Sequence, residues 1–380
     1  MRGPGARPIV IAAGGTGGHF FPAEALAAAL IGRGERVALM TDARSSALAS
    51  PVFANAERFV LPGSGLAGHG VLGAAKGALA LARGAIAARR LLVELDPSAV
   101  VGFGGYPSVP PLVAARLLPG SRRPAVVLHE QNAVLGRANR ALARGADLLA
   151  LCFPGTTRVP PGVRAEVLGN PVRPAIAALH GQGYVRPLDT FRIFVIGGSL
   201  GARIFADVVP AAIAALPAEA RRRIEVVQQC RQEDMDRTRT AYAAAGVRAE
   251  LAPFFRDVEA RYRAAHLVIA RAGASTIAEI ACAGRPSILV PLPHAIDDHQ
   301  SANARSLSAL SAAELMFQAR FTADTLATSL KKYLEAPETL DDMARAAASL
   351  GEPDAAARLA DRVLSLVADM PQHNPLGKAA

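Results

Sequence analysis

Apolar positions along this chain fall into two alternating patterns. Short strand-like runs occur at residues 7–13, 36–40, 57–61, 99–103, 124–128 and 147–152. Between them, alanine-rich stretches at 20–33, 71–95 and 109–118 carry apolar residues at helical spacing. A proline-rich run at 157–168 and a polar, linker-like stretch at 180–190 break the pattern. It restarts with strands at 191–196, 224–229, 248–251, 267–270 and 288–291, and helices at 322–335 and 354–369 follow. Such alternation predicts parallel sheets covered on both faces. Two halves of this kind predict an α/β chain of two doubly wound, Rossmann-like domains facing across a cleft. The expected boundaries are 1–175 and 176–370, with 371–380 as a tail. The pattern leaves open whether the last helix crosses back to the first domain.

Three glycine turns stand at strand ends, where sites of doubly wound folds lie. The first is Gly14-Gly15-Thr16-Gly17-Gly18-His19, and the second is Gly197-Gly198-Ser199-Leu200-Gly201. The third runs from Arg271 through Gly273 into a short helix that stops at Gly284, with Pro286 just beyond. Each turn opens a helix whose first N–H groups and positive dipole end favour an anion or a sugar oxygen.

Composition narrows the class. Hydrophobic residues make up 51% and charged residues 19%, as in globular chains. Cys152, Cys230 and Cys282 lie far apart and form no CxxC, which argues against a disulfide framework or a cysteine zinc site and suits a reducing compartment. Neither a leader nor a bilayer-spanning apolar stretch is expected. Net charge is +10 and the pI near 10.2. That balance suits an anionic partner, and equally a composition bias, since lysine occurs only at 76, 331, 332 and 378 and arginine supplies the rest. Nucleic acid is disfavoured: tryptophan is absent, aromatics are 5%, and no basic–aromatic alternation occurs.

The first turn resembles a dinucleotide loop, with Asp42 after the second strand as a ribose-binding acid. G-x-G-x-x-G is not completed, however. His19 sits at a helix start, where the dipole favours neutral imidazole over imidazolium. It either packs locally or serves as a general base, and the second reading is preferred. Asn132 either forms an Asx-turn or bonds sugar hydroxyls. Ser199 can cap its helix and donate to phosphate at once. Thr276-x-x-Glu279 reads as a capping box, or as a site whose carboxylate accepts from ribose hydroxyls. Residues 291–303 bring His294, Asp297, Asp298, His299 and Gln300 to another strand end, without the spacing of a metal site. No metal and no cofactor are expected.

Together these motifs resemble the MurG family. They are Gly14 to His19, Gly104-Gly105-Tyr106-Pro107-Ser108, His129-Glu130-Gln131-Asn132, Gly169-Asn170-Pro171-Val172-Arg173, Gly197 to Arg203, Arg271 to Glu279, and Asp298-His299-Gln300 with Asn303. The resemblance spans nearly the whole chain in order. It implies a GT-B enzyme that moves N-acetylglucosamine, with inversion, from UDP-N-acetylglucosamine to the muramoyl 4-hydroxyl of lipid I, making lipid II for the bacterial wall. It further implies a nucleotide-sugar site in the second domain, with the Phe255 backbone at uracil, Glu279 at ribose, and Ser199 with Arg173 at the diphosphate. Ala274, Ser275, Thr276 and Gln300 would surround phosphate or sugar. Asn132 and Thr16-Gly17-Gly18 would close from the acceptor side, with His19 as base. Two features depart from the family pattern: His299-Gln300 stands where paired glutamines are common, and Phe254-Phe255-Arg256 is bulky at the uracil position.

A lipid acceptor implies a surface that lies on anionic membrane, peripherally and on its cytoplasmic face. The helix at 71–95, with Lys76, Arg83, Arg89 and Arg90, is the candidate, aided by Arg116, Arg122 and Arg123. The same helix can equally be an ordinary sheet-covering one. Two other functions remain open at this level: a UDP-N-acetylglucosamine 2-epimerase-like isomerase, and a non-catalytic nucleotide-binding protein.

Overall fold

In a computed structural model of the protein, residues 7–15, 17–43, 50–62, 71–198 and 201–370 are described. The chain divides into two compact units, Met1–Arg173 with Asp354–Ala380, and Pro174–Pro353.

The first unit is built on a parallel sheet of seven strands: β1 (Ile9–Ala12), β2 (Val37–Thr41), β3 (Glu57–Val60), β4 (Ala99–Gly102), β5 (Ala125–Glu130), β6 (Leu148–Leu151) and β7 (Ala165–Val167). They lie in the order 3-2-1-4-5-6-7. β1, β2, β4, β5 and β6 are buried throughout, as β-rich apolar runs must be when helices cover both faces. Side chains alternate between those faces. Ile9 and Ile11 of β1 pack with Phe20 and Leu26 of helix α1 (Gly17–Gly32). Val10 turns the other way, toward Leu92 of α2 (Val71–Leu95) and Leu112 of α3 (Gly105–Arg116). A short helix, α4 (Arg137–Leu142), follows β5.

The second unit repeats the plan with six parallel strands: β8 (Phe191–Ile196), β9 (Ile224–Gln229), β10 (Arg248–Ala252), β11 (Leu267–Ala270), β12 (Ser287–Leu289) and β13 (Ala313–Leu315). Their order is 10-9-8-11-12-13. Its helices are α5 (Pro174–Ala177), α6 (Arg203–Ala214), α7 (Ala218–Arg222), α8 (Met235–Ala244), α9 (Val258–Ala264), α10 (Ala274–Ala283), α11 (His299–Ser308), α12 (Ala323–Glu335) and α13 (Glu338–Ser349). The final helix, α14 (Ala355–Asp369), returns to the first unit, where Leu359, Val363 and Leu366 join the core around Phe20 and Leu26. Arg362 anchors it there by pairing with Glu166 of the β7 edge at 2.7 Å. The second unit therefore ends at Pro353, short of residue 370.

Further elements depart from the sequence reading, among them the edge strand β13, α3, β7 and α13. α3 starts four residues earlier than the apolar spacing suggested, because Gly104 and Gly105 take left-handed conformations (φ 77° and 67°) that swing the chain straight into the helix. β7 lies inside the proline-rich run, after its prolines Pro160 and Pro161, at an edge of the sheet. α13 was not anticipated. It buries Leu340, Met343, Ala344 and Ala347, a face of helical spacing diluted by alanine.

In each unit the strand order reverses beside the first strand, between β1 and β4 and between β8 and β11. Doubly wound folds bind ligands at such a switch, beyond the carboxyl ends of the strands. The loops that leave these ends are the glycine turns.

Candidate active site

In the first unit the turn after β1 is held from below by Asp42, which follows β2 directly. Its Oδ1 accepts from Gly15 N at 3.4 Å, and a Cβ on Gly14 would meet the same oxygen at 2.9 Å. Asp42 is thus occupied in shaping the loop, which accounts for its place after β2 without a ribose. Thr16 lies outside the described residues. Gly17 opens α1 and is buried, with space for no more than hydrogen: a Cβ would come within 2.9 Å of the Phe21 ring. Gly18 is exposed, and His19, in the first turn of α1, is half-buried.

His19 is drawn toward the end of β5. Its Nδ1 lies 3.0 Å from Gln131 Oε1, and Gln131 Nε2 lies 2.9 Å from His129 Nδ1. His129 is fully buried, and burial pulls its pKa down to about 4. Beside it the buried carboxylate of Glu130 accepts from Asn132 N and Nδ2, Gly136 N and Asn139 Nδ2, at 2.9–3.0 Å. Those bonds compensate its burial and give the 130–139 loop its shape. Asn132 is half-buried and its amide nitrogen is turned onto Glu130, which ties it into a carboxylate-centred loop. Arg173, the last residue of this unit, lies with its guanidinium carbon 4.8 Å over the Phe21 ring.

In the second unit the turn after β8 is held from the equivalent place, the end of the neighbouring strand. Here the group is neutral: Gln229 Oε1 accepts from Gly197 N at 3.0 Å, and Gln229 Nε2 donates to Pro253 O at 3.2 Å. Gly198 and Gly201 have φ of 87° and 68°, and a Cβ on Gly197 would strike Ala202 N at 2.4 Å. Ser199 lies outside the described residues. Pro253 leads to Phe255, whose ring is buried edge-on against Phe194, while Phe254 is exposed. The bulk at this position is therefore absorbed by the core, and the backbone at 255 stays at the loop.

After β11, helix α10 is entered from Gly273, an N-cap in extended conformation that provides no side-chain bond. Ala274 and Ser275 are the first two helical residues and Thr276 the third. The capping box is thus not formed: Thr276 is inside the helix, and Glu279 lies a turn further in, buried, accepting from Tyr262 Oη at 3.3 Å. At the other end Gly284 takes the left-handed cap (φ 60°) that its position predicted. Arg271, buried at the end of β11, donates to Val290 O and Pro291 O at 3.1 Å and to Gln318 Oε1 at 2.7 Å. These acceptors are all neutral. Burial lowers its pKa to about 10, which leaves it a cation at neutral pH.

The next loop holds three non-glycine residues in left-handed conformation, His294, Asp297 and Asp298. Such strain needs support, and functional loops are where it gathers. Gln300, half-buried in α11, supplies part of that support by accepting from Leu292 N at 2.9 Å. His299 donates through Nδ1 to Ile296 O at 2.7 Å. No group of three or more His, Cys, Asp or Glu suited to a metal occurs among the described residues.

The structure thus gathers His19, Gly17, Gly18 and Asn132 at the strand ends of one unit, with Asp42 and Glu130 supporting them. Phe255, Ala274, Ser275, Thr276, Glu279 and Gln300 belong to the other. Sequence reasoning missed three supporting residues: Gln131, Gln229 and Tyr262. A polar residue just at the end of an otherwise apolar strand was the available signal for the two glutamines.

Two doubly wound α/β units with polar strand ends have the architecture of the GT-B glycosyltransferases, and the family matches place the chain among them. Residues 9–150 match the glycosyltransferase family 28 N-terminal domain, and 192–359 its C-terminal domain. The chain is 58% identical over 359 residues to the UDP-N-acetylglucosamine--N-acetylmuramyl-(pentapeptide) pyrophosphoryl-undecaprenol N-acetylglucosamine transferase of Granulibacter bethesdensis, covering 94% of this chain and 93% of that one. Among solved structures, MurG of Acinetobacter baumannii is similar over 95% of this chain and all of that one, with a TM-score of 0.73 and 30% identity. A UDP-N-acetylglucosamine 2-epimerase of Listeria monocytogenes, so described provisionally, is similar with a TM-score of 0.66 over 97% of this chain and 98% of that one. At 15% identity that likeness is one of fold alone. The chain belongs to the MurG family of family 28 glycosyltransferases.

Proposed function

We infer that the protein transfers N-acetylglucosamine from UDP-N-acetylglucosamine to the muramoyl 4-hydroxyl of lipid I, forming lipid II and releasing UDP. The observation that carries the division of labour is the contrast beneath the two glycine turns. The Asp42 carboxylate offsets part of the positive end of the first turn's amides, which makes that turn the weaker of the two as a seat for the nucleotide's diphosphate. The neutral Gln229 leaves the second turn's amides positive, and Arg271 adds a cation whose described acceptors are uncharged. The UDP-sugar is accordingly assigned to the second unit and the acceptor to the first.

In this reading Glu279 accepts from the ribose hydroxyls and the 255 backbone meets uracil. The N-terminus of α10, at Ala274, Ser275 and Thr276, and the Gln300 loop hold phosphate and sugar. Ser199 and Arg173 complete the diphosphate contacts, and Asn132 and the Thr16-Gly17-Gly18 loop close from the acceptor side. The 4-hydroxyl attacks the sugar C1 from the face opposite UDP, so the configuration inverts. His19 takes the hydroxyl proton as the C1–O bond to UDP breaks, and helix N–H groups stabilise the departing diphosphate.

We also place the protein peripherally on the cytoplasmic face of the membrane. No helix among the described residues is long and apolar enough to cross a bilayer. Leu79, Ile86 and Val93 are exposed on one face of α2, together with Arg83 and Arg90, a pattern that suits anionic lipid at roughly 1 kcal/mol per arginine. The Lys76 side chain lies outside the described residues. Arg123 pairs with Asp147 at 2.8 Å and is less suited to lipid than its sequence position suggested.

The test is UDP release from UDP-N-acetylglucosamine with and without a lipid I analogue. Release that needs the acceptor, and that falls roughly 10²- to 10⁴-fold in His19→Ala with the donor KM little changed, is expected. Epimer formation without acceptor, or no turnover, would overturn the assignment.

A further inference from the structure

The hydrogen-bond chain that starts at His19 can be given a direction, because both of its anchors are backbone carbonyls. Gln131 Nε2 lies 3.1 Å from His129 O, which only accepts. The opposite amide orientation would set two oxygens there with no proton between them. Gln131 therefore presents its nitrogen to His129 and its oxygen to His19. At the far end His129 Nε2 lies 3.0 Å from Gly169 O, so that nitrogen carries the ring proton. His129 Nδ1 is then a lone pair and accepts from Gln131 Nε2 at 2.9 Å. Gln131 Oε1 can only accept, so His19 Nδ1, 3.0 Å away, must donate. Gln131 and His129 are both buried, which keeps water from competing for these bonds.

We propose that Gln131 is a positioning residue that locks His19 as the Nδ1–H tautomer, leaving the Nε2 lone pair as the proton acceptor. This rests on the reading of His19 as base. Neutral imidazole otherwise divides between two tautomers, and the Nε2–H form carries its proton on the edge that must accept one. The same Gln131 bond persists once His19 is imidazolium, since Nδ1–H still donates, so proton transfer asks no rearrangement of the chain. Space at the accepting edge is kept by Gly105. A Cβ there would lie 3.3 Å from His19 Nε2 and 3.2 Å from Cδ2, and its φ of 67° excludes most side chains anyway.

The fully buried His129 stays neutral well below pH 7, which preserves its lone pair toward Gln131 throughout the working range. His129 is thus the fixed end of the lock and Gln131 its transmitting part.

The experiment is a long-range proton–nitrogen correlation spectrum of the full chain labelled with nitrogen-15 histidine. The His19 signals are identified by their loss in His19→Ala. The wild-type protein should show a protonated Nδ1 and an unprotonated Nε2. In Gln131→Leu the proton should move to Nε2, and kcat should fall roughly tenfold or more with the donor KM within about twofold. A wild-type His19 protonated on Nε2, or a tautomer unchanged in Gln131→Leu, would overturn the lock. If instead His19→Ala turns over like wild type, the base reading fails, and the lock loses its catalytic purpose whatever the spectrum shows.

Discussion

Beneath the turn after β1 stands a carboxylate, Asp42, and beneath the turn after β8 stands a carboxamide, Gln229, each at the end of the neighbouring strand and each accepting from a glycine N–H. The two turns are alike in topology and differ by one charge. The surroundings follow the same division. Around the first turn are His19, Gln131, His129 and Glu130, a network in which protons have defined places. Around the second are a glutamine, the N-terminal end of α10, a buried arginine and one buried carboxylate a turn inside the helix. In the proposed assignment one glycine turn serves acid–base work and the other anion binding, and the charge of the group held against it distinguishes them.

The comparison can be broken or sharpened by experiment. The largest expected effect concerns the proton network of the first unit. Because the folded pKa of His129 lies near 4, below its ordinary value of 6.5, the unfolded chain binds the extra proton between those values. Stability contributed by the neutral, buried ring is therefore complete above about pH 6.5 and is lost as pH falls toward 4. The loss should be on the order of 3 kcal/mol, seen as a fall in Tm between pH 7 and 4.5 that flattens in His129→Asn. An unchanged slope in that variant would show that the first unit's network is not proton-sensitive at this residue.

A smaller effect is expected from exchanging the charge beneath the turns. Gln229→Glu should raise the KM for UDP-N-acetylglucosamine roughly tenfold, since the carboxylate opposes the diphosphate and no longer donates to Pro253 O. Asp42→Asn, the matching change in the first unit, should leave that KM within about twofold. Equal effects of the two substitutions would dissolve the assignment of donor and acceptor to different turns.

The smallest effect separates ligand from cap. Thr276→Ala should change stability by less than about 0.5 kcal/mol, because Gly273 and not Thr276 is the N-cap, whereas losing a true cap costs about 1 kcal/mol. The same variant should still weaken donor binding measurably by calorimetry. Lost stability with unchanged binding would return Thr276 to a purely structural role.

Much of this was legible along the chain. Short apolar runs bounded by glycine turns, such as Ile9–Ala12 and Leu267–Ala270, fitted strands buried on both faces, and Gly284 before Pro286 fitted a helix end. The positions of the glycine turns, and with them the ends of the sheets where chemistry gathers, followed from those runs. Local physics sufficed there, because burial and backbone conformation are properties of short segments. The capping-box reading of Thr276 and Glu279 failed for a reason of register: which residue caps a helix depends on where the chain leaves the preceding strand, a matter of one or two residues. The return of α14 to the first unit was an open alternative that the sequence did not decide, since an amphipathic helix does not specify which apolar face it will cover. Above all, the polarity of the His19–Gln131–His129 chain needed Gly169 O, some forty residues from His129 in sequence, to stand opposite one ring nitrogen. The sequence alone placed a histidine at a helix start; only the tertiary structure decided which of its nitrogens holds the proton, because hydrogen-bond direction is set by the fixed carbonyls that the fold brings into reach.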